Sequence, residues 1–427
     1  MGHGTADRMW MVLVCCAFAV MVSGAAHGQN EAKVARKLLS SVDAKGGLLV
    51  HVGCGEGQLT AELGGRGFVV QGLDTDAEDV RTARRHIRSS GLYGDASVRT
   101  WDGKNLPYVD NLVTVLVVEE PGDLSRKEMK RALAPRGALY LKTQDGWTSE
   151  TRKWPTALDE WTHYMHDPRG TFVSKDRRLG PPEGMRWKGG PKWARSHEHT
   201  AGMQAMVSAN GRVFHVMDEG PTESIQLPPK FTLTARDAFN GAVLWEKELP
   251  RWFNDLYPLK SGPSYMPRRL VAVGDTLYVS PGTGQKLMAI DAATGEVLRR
   301  YDETTTTISF ICSRGTLFAS VDPDREWVDY RQKHANCWHE RDRASKKFSW
   351  KKQNTQRLTA IDADTGEMMW QKKQAIAPLT LAADGRMVCL YDGKRVLALD
   401  RKTGEKLWAS KTLQKMRRIL TGYSPRL

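Results

Sequence analysis

Four stretches in the second half of the chain repeat one another: 233–245 (LTARDAFNGAVLW), 287–299 (LMAIDAATGEVLR), 358–370 (LTAIDADTGEMMW) and 396–408 (VLALDRKTGEKLW). In each, an aspartate (Asp237, Asp291, Asp362, Asp400) is followed four residues later by a glycine (Gly241, Gly295, Gly366, Gly404), and four residues beyond that stands Trp245, Arg299, Trp370 or Trp408. Alternating apolar residues before the aspartate build a strand. The aspartate and the Thr or Asn before the glycine bond local backbone at a turn, and the glycine takes the positive φ such a turn demands. The unit is therefore a β-hairpin, and its Trp lands on the returning strand, where it can pack between neighbouring sheets.

Ahead of each unit lies a second hairpin with its own turn: SANGRVFHV, VAVGDTLYV, ICSRGTLFA and AADGRMVCL. Four strands in about forty residues make one blade of a β-propeller. The aspartates are 54, 71 and 38 residues apart, so one blade is compact and two carry insertions. The pattern resembles the pyrroloquinoline-quinone-type repeat of quinoprotein alcohol dehydrogenases and of periplasmic assembly lipoproteins that bind no quinone. The resemblance covers 158–427, including an opening segment, EWTHYMHDPRG. It implies about eight blades. With four countable, the sequence predicts an incomplete ring of about four blades whose open edge carries Leu, Val and Trp and invites pairing or aggregation, and a natural gene product longer than 427 residues. Members that use quinone bring an adjacent Cys-Cys pair and calcium ligands to the central funnel. Here the only such pair is Cys15-Cys16, which argues against the quinone as cofactor.

The first half reads differently. A helical stretch from Glu31 precedes the apolar run GLLVHV, then Gly53-Cys54-Gly55-Glu56-Gly57, then a helix, QLTAEL. A strand entering closely spaced glycines and then a helix turns backbone N–H groups toward a ligand, as nucleotide cofactors require. The next strand, FVVQGL, ends in Asp74, seventeen residues after Gly57, where a carboxylate can accept ribose hydroxyls.

VHVGCGEGQLT, GLDTD, TWDGKNLPY and RALAPRGALYL together resemble class I S-adenosylmethionine-dependent methyltransferases over about 40–145, an α/β Rossmann-like fold. The resemblance implies S-adenosylmethionine as cofactor, with Gly53, Gly55 and Gly57 at its methionine part, Asp74 at the ribose and Asp102 at the adenine amino group; 133–137 would be the turn before the fifth strand. Three departures stand out. His51 occupies the place of the family's Asp or Glu, and a neutral imidazole cannot hold the cofactor's ammonium group. After Leu141 no sequence remains for the two strands that complete the sheet and shape the substrate pocket. The cofactor is made in the cytoplasm, which this chain is expected to leave.

That expectation comes from residues 9–22 (MWMVLVCCAFAVMV), an unbroken apolar run of fourteen followed by small residues. This is a signal-peptide pattern, too short for a membrane span of about twenty residues. The predicted organisation is thus a signal peptide at 1–28, a methyltransferase-like domain at 29–145, a linker and opening segment at 146–200 and propeller repeats at 201–427, exported to the periplasm or beyond, with no transmembrane segment in the mature chain. Cys54, Cys312, Cys337 and Cys389 remain after processing; none lies in a CxxC pair, so neither a disulfide framework nor a thiolate zinc site is indicated, though one or two disulfides stay open. Lys and Arg number 63 against 49 Asp and Glu, a formal charge of +14 spread along the chain. That balance permits acidic partners without naming one.

Two smaller groups invite a ligand. His163, His166 and Asp167, with His197 and His199, could gather at a metal, but their spacing fits no stringent signature, and no metal is expected. The insertion 322–356 interleaves Trp327, Tyr330, Trp338 and Trp350 with Arg and Lys. Aromatic faces beside cations suit anionic glycans or single-stranded nucleic acid; export disfavours nucleic acid, leaving an anionic polysaccharide or an envelope protein as partner. The sequence reads as a binding scaffold of the envelope with a non-catalytic methyltransferase-like domain. An active methyltransferase and a quinone-dependent oxidoreductase are its rivals.

Overall fold

In the computed structural model the described residues are 30–42, 44–178, 180–181, 184–190, 202–223, 227, 229–252, 266–324, 356–377 and 379–413. The chain divides after Pro155 into two compact units. The signal-peptide residues, His197, His199, Cys337 and most of the insertion lie outside the described residues.

In the first unit, helix α1 (30–40) leads into β1 (Gly47–Val52), α2 (Gln58–Leu63), β2 (Phe68–Asp74), α3 (Ala77–Ser89), β3 (Ala96–Thr100), β4 (Val113–Val118), α4 (Arg126–Ala132), β5 (Leu133–Thr143) and β6 (Gly146–Thr151). The six strands form one sheet in the order β3-β2-β1-β4-β5-β6, parallel except for β6, which runs antiparallel to β5. Central strands of a parallel sheet are covered on both faces and therefore read as unbroken apolar runs. Every residue of β4 (VTVLVV) is buried. One face packs Leu49, Val70 and Val115 against Ala35, Leu38, Val80, Ala83 and Ile87 of α1 and α3. The other packs Val50, Leu116 and Val118 against Met129 and Ala132 of α4. The i, i+3, i+7 spacing of Val80, Ala83 and Ile87 gives α3 its buried stripe, and Asp76 caps it by accepting from the Glu78 and Asp79 amides.

Two local expectations are corrected. Residues 133–137 do not form a turn ahead of the fifth strand: β5 starts at Leu133, and the irregularity falls inside it, where Arg136 has φ 64° and the register with β4 shifts between Val113 and Val115. Residues 146–151, read as the start of the linker, supply β6, an edge strand whose mostly exposed residues carry no apolar alternation. Only Trp147 joins the core.

Among the described residues the second unit shows four four-stranded antiparallel meanders: β7 (Met203–Ala209) to β10 (Val243–Glu248); β11 (Leu270–Val273) to β14 (Val297–Arg300); β15 (Thr307–Ser313) to β18 (Met368–Lys373); and β19 (Ala382–Ala383) to β22 (Lys406–Ala409). Intervening strands are β8 (Arg212–Asp218), β9 (Phe231–Asp237), β12 (Thr276–Val279), β13 (Met288–Asp291), β16 (Thr316–Val321), β17 (Arg357–Asp362), β20 (Met387–Tyr391) and β21 (Val396–Asp400). The first strands of successive blades, β7, β11, β15 and β19, neighbour one another.

Each outer hairpin is built as the repeat dictates. The aspartate carboxylate accepts the amides two and three residues on, as Asp291 does from Ala293 (2.9 Å) and Thr294 (2.8 Å). The glycines have φ of 75°, 78°, 82° and 71°. The glycine has a second duty that the turn alone does not reveal. The Trp of one blade sends its indole N–H to the carbonyl after the aspartate of the next: Trp245 to Ala292 (3.1 Å) and Trp370 to Arg401 (2.9 Å). Its ring then lies flat on the next glycine, so that a Cβ at Gly295 would come within 2.7 Å of Trp245 and one at Gly404 within 2.7 Å of Trp370. In the second blade the Trp is replaced by Arg299, and the bond is taken over by the Tyr301 hydroxyl, which donates to the Ala363 carbonyl at 2.6 Å. A fifth knob precedes the first blade: Trp187 donates to the Ala238 carbonyl (3.1 Å) and fills the hollow over Gly241.

Candidate functional site

In the first unit the carboxyl ends of the parallel strands converge where the strand order reverses beside β1, the place at which open α/β sheets bind ligands. The glycine loop follows β1, Asp74 ends β2, Asp102 follows β3, and Glu119 and Glu120 follow β4. The three glycines are not equivalent. A Cβ at Gly53 would strike the Glu120 amide nitrogen at 2.8 Å, and one at Gly57 would strike Ala83 of α3 at 2.7 Å, so both are required by packing within the protein. Gly55 (φ 49°) has nothing within 4 Å and alone faces open space. Asp74 accepts from the Gly55 amide (2.8 Å) and from the Asp76 amide (3.0 Å), and Asp102 accepts from the Lys104 and Asn105 amides (2.9 and 3.1 Å). Those amides hold the Asp102 carboxyl below its usual range. The two aspartates are brought to adjacent strand ends by a bond from the Trp101 amide to the Asp74 carbonyl.

Carboxylates crowd the loop. The Asp79 carboxyl is raised, first by desolvation and then by the charges of Asp76, Asp74, Glu56 and Glu120. Such a field disfavours an anionic group placed among those carboxylates.

The substitution His51 draws in residues that sequence reading missed. The His51 imidazole is fully buried, with Nδ1 at 2.8 Å from the Thr60 hydroxyl and Nε2 at 3.3 Å from Glu119 Oε1. The other Glu119 oxygen takes the Lys142 ammonium. Burial pushes the Glu119 carboxyl up, but the adjacent His51 imidazole and the Lys142 ammonium prevail and hold it below its usual range. A carboxylate therefore stands beside β1 after all, already engaged by a lysine. The signal for it was the Glu-Glu doublet directly after the apolar run of β4.

In the propeller, His163, His166 and Asp167 of HYMHD are engaged by hydrogen bonds within the unit. Residues 161–168 meet the first strand of each of the four described blades. The Trp161 carbonyl accepts the Ser208 amide of β7 (2.8 Å), the Thr162 carbonyl the Ala272 amide of β11 (3.0 Å), and the Pro168 carbonyl the Ala383 amide of β19 (2.9 Å). For β15 the acceptor is a side chain, His163 Nε2, which takes the Cys312 amide at 3.1 Å. Accepting there leaves the proton on Nδ1, which meets the Thr162 hydroxyl at 2.8 Å. His166 is held between Asp159 (2.7 Å) and Thr171 (3.1 Å), and Asp167 bonds Arg169. Arg268 crosses the same region, donating to the Leu381 carbonyl (2.8 Å) and to Met165 Sδ (2.7 Å). Among the described residues no group of three or more His, Cys, Asp or Glu could hold a metal ion. Cys54, Cys312 and Cys389 are free thiols; burial, above all, pushes Cys54 and Cys312 up to about 12.

Trp327, Tyr330, Trp338 and Trp350 lie outside the described residues. The stem of their insertion is narrower than 322–356: Asp322 and Gln356 are buried, and Gln356 bonds Ser320 (2.8 Å) and both backbone polar groups of Ile376 (2.8 and 3.2 Å).

Comparison with known proteins agrees with this division. The family profile described as "Outer membrane protein assembly factor BamB" matches residues 184–346 and 352–426, more than half of the chain, and the profile "Methyltransferase domain" matches 49–137. Curated relatives include the methyltransferase GfsG of Streptomyces halstedii, 29% identical over 117 residues, covering 26% of this chain and 42% of that protein. The ubiquinone biosynthesis O-methyltransferase of a Caulobacter species is 31% identical over 101 residues, covering 22% and 40%. The chain thus spans about two fifths of the length of these relatives. Among solved structures, BamB of Moraxella catarrhalis aligns at 18% identity over 48% of this chain and 47% of that one, TM-score 0.28. A methyltransferase of Aquifex aeolicus aligns at 23% over 25% and 62%, TM-score 0.23. No helix among the described residues is long and apolar enough to cross a membrane.

Proposed function

The chain belongs to the Outer membrane protein assembly factor BamB family through its propeller, and from that premise we propose that it is an exported binding scaffold of the bacterial envelope whose methyltransferase-type domain keeps the cofactor fold without transferring methyl groups. The observation that supports the reading is segment 161–168, which bonds the first strand of each of the four described blades, where a quinone enzyme would keep a funnel for its cofactor. What the scaffold offers a partner is then its blade edges and loops. A protein partner suits the family, and the Lys- and Arg-rich insertion adds a place for anionic polysaccharide.

For the first unit the support is the engaged carboxylate. Gly55, Asp74 and Asp102 fit the backbone cradle and the ribose and adenine ends of S-adenosylmethionine. The remaining requirement is a free negative charge beside β1 for the ammonium group, and Glu119 is already paired with Lys142. The sheet also closes on a single added strand, β6, in place of the two that shape a substrate pocket.

Calorimetry of the full chain tests the catalytic half: titration with S-adenosylmethionine should give weak or no saturable heat, and a micromolar dissociation constant lost in Asp74→Ala would restore the methyltransferase reading. Reconstitution with pyrroloquinoline quinone and calcium should leave no dye-linked alcohol oxidation; quinone retained at one equivalent after desalting would overturn the scaffold reading. Removing 325–355, which spares the buried stem, should leave the melting curve in place, because loop length costs little. The same deletion should reduce retention on envelope fractions or anionic polysaccharide, and unchanged retention would remove the insertion from the binding surface.

A further inference from the structure

The loop after β1 divides the carboxyl ends of the parallel strands into two sides of unlike chemistry. On the β2 and β3 side stand two carboxylates, groups that can only accept. Asp74 takes the Gly55 amide on Oδ2 and the Asp76 amide on Oδ1, so each oxygen keeps a second lone pair for an outside donor. Asp102 takes both of its amides on Oδ1, leaving Oδ2 to accept. Acceptors at adjacent strand ends suit the donors of an aminonucleoside, a sugar diol and then an exocyclic amine. Gly55, where a Cβ would meet nothing within 4 Å, lets such a ligand approach the backbone.

On the β4 and β5 side the charges are closed on one another. The Glu119 amide bonds the Val52 carbonyl at 2.9 Å, which sets Glu119 beside the start of the glycine loop. His51 stands against one of its carboxylate oxygens and the Lys142 ammonium of β5 against the other. A ligand laid across the strand ends, with its nucleoside over β2 and β3, carries its 5′ substituent over β1 to this pair. A cationic substituent finds the carboxylate engaged and the Lys142 charge beside it. An anionic one meets the field of Glu56, Asp76, Asp79 and Glu120 around the same loop. Both signs of charge are thus disfavoured at that end.

We propose that the first unit is a site for an uncharged aminonucleoside of the adenosine type, and that Lys142 sets this preference by holding, on Glu119, the place an ammonium-bearing ligand would need. The inference rests on the reading of this domain as keeping the cofactor fold without methyl transfer, and adds what that fold still binds. Lys142 is its specificity-determining residue. Its side chain is 51% exposed, so it can be replaced without opening the core.

Calorimetric titration of the full chain with adenosine, inosine, adenosine monophosphate and S-adenosylhomocysteine tests this. Adenosine should bind saturably. Inosine, which has a carbonyl in place of the amine, adenosine monophosphate and S-adenosylhomocysteine should each bind about tenfold more weakly or worse, the size of one hydrogen bond to a charged group. Lys142→Met frees Glu119 and should raise the affinity for S-adenosylhomocysteine by about tenfold while leaving that for adenosine unchanged. Lys142→Arg, which can keep the pair, should behave as the wild type, and melting curves of both variants separate a change of preference from a loss of fold. A wild type that prefers S-adenosylhomocysteine to adenosine, or a preference unmoved in Lys142→Met, would overturn the proposal. Absence of adenosine binding would overturn it and leave the non-catalytic reading standing, whereas micromolar binding of S-adenosylmethionine by the wild type would overturn both.

Discussion

Lowering the pH from neutrality through 6.5 towards 3 should cost the propeller stability at up to about 1.4 kcal/mol per pH unit for one buried imidazole. The group is His163, which burial, and after it the nearby Arg268 charge, lower from 6.5 to about 3. In the unfolded chain the imidazole takes up its proton below about 6.5; in the folded chain Nε2 is the acceptor for the Cys312 amide, and protonation there would break the bond that ties the central segment to β15. The unfolded state thus binds the extra proton first, and stability that is complete above 6.5 is lost as pH falls. His215, lowered by burial and then by Arg236, acts in the same direction. Asp159, held at about 2, joins only below the unfolded carboxyl range, because its stabilisation fades as pH falls toward that value. Denaturant titrations at several pH values should show the slope, and His163→Gln, whose amide oxygen can still accept from Cys312 but does not titrate, should remove one proton's share. An unchanged slope in that variant would place the acid sensitivity elsewhere.

Replacing Gly295 with alanine should destabilise the propeller more than the same change at Gly315, although the two have nearly equal φ, 78° and 74°. At Gly315 a Cβ meets nothing within 4 Å, so the cost is that of a non-glycine residue in the left-handed region, about 1–2 kcal/mol. At Gly295 the new methyl would stand 2.7 Å from Trp245. The indole must move, and with it the bond to the Ala292 carbonyl, adding about 1–3 kcal/mol of overpacking. Melting curves of the two variants settle the comparison. Equal losses would mean that the repeat keeps glycine for its backbone alone and that the knob tolerates displacement.

The repeat hairpins, the apolar strands β1, β2 and β4 and the order of the two modules follow from the sequence alone. Aspartate, Thr or Asn and glycine fold their hairpin through bonds between neighbours in the chain, and an unbroken apolar run such as VTVLVV can be satisfied only between two covered faces. Both modules were legible for that reason, down to the glycine loop and the aspartates at the ends of β2 and β3. The tertiary structure decided what depends on residues distant in sequence. Gly57 reads as a cofactor glycine, and only the fold shows that Ala83 also packs against it; His51 reads as a lost charge until Glu119, just after β4, arrives beside it with Lys142 of β5 on its other oxygen. HYMHD reads as three candidate ligands, His163, His166 and Asp167, until four separate blades contribute the amides that engage segment 161–168. The edge strand β6 escaped notice because an edge has one partner and half its surface in water, so it needs no apolar pattern. Local hydrogen bonding and hydrophobic period are written residue by residue, whereas the partner of a buried polar group is chosen by packing, and only the folded chain brings the two together.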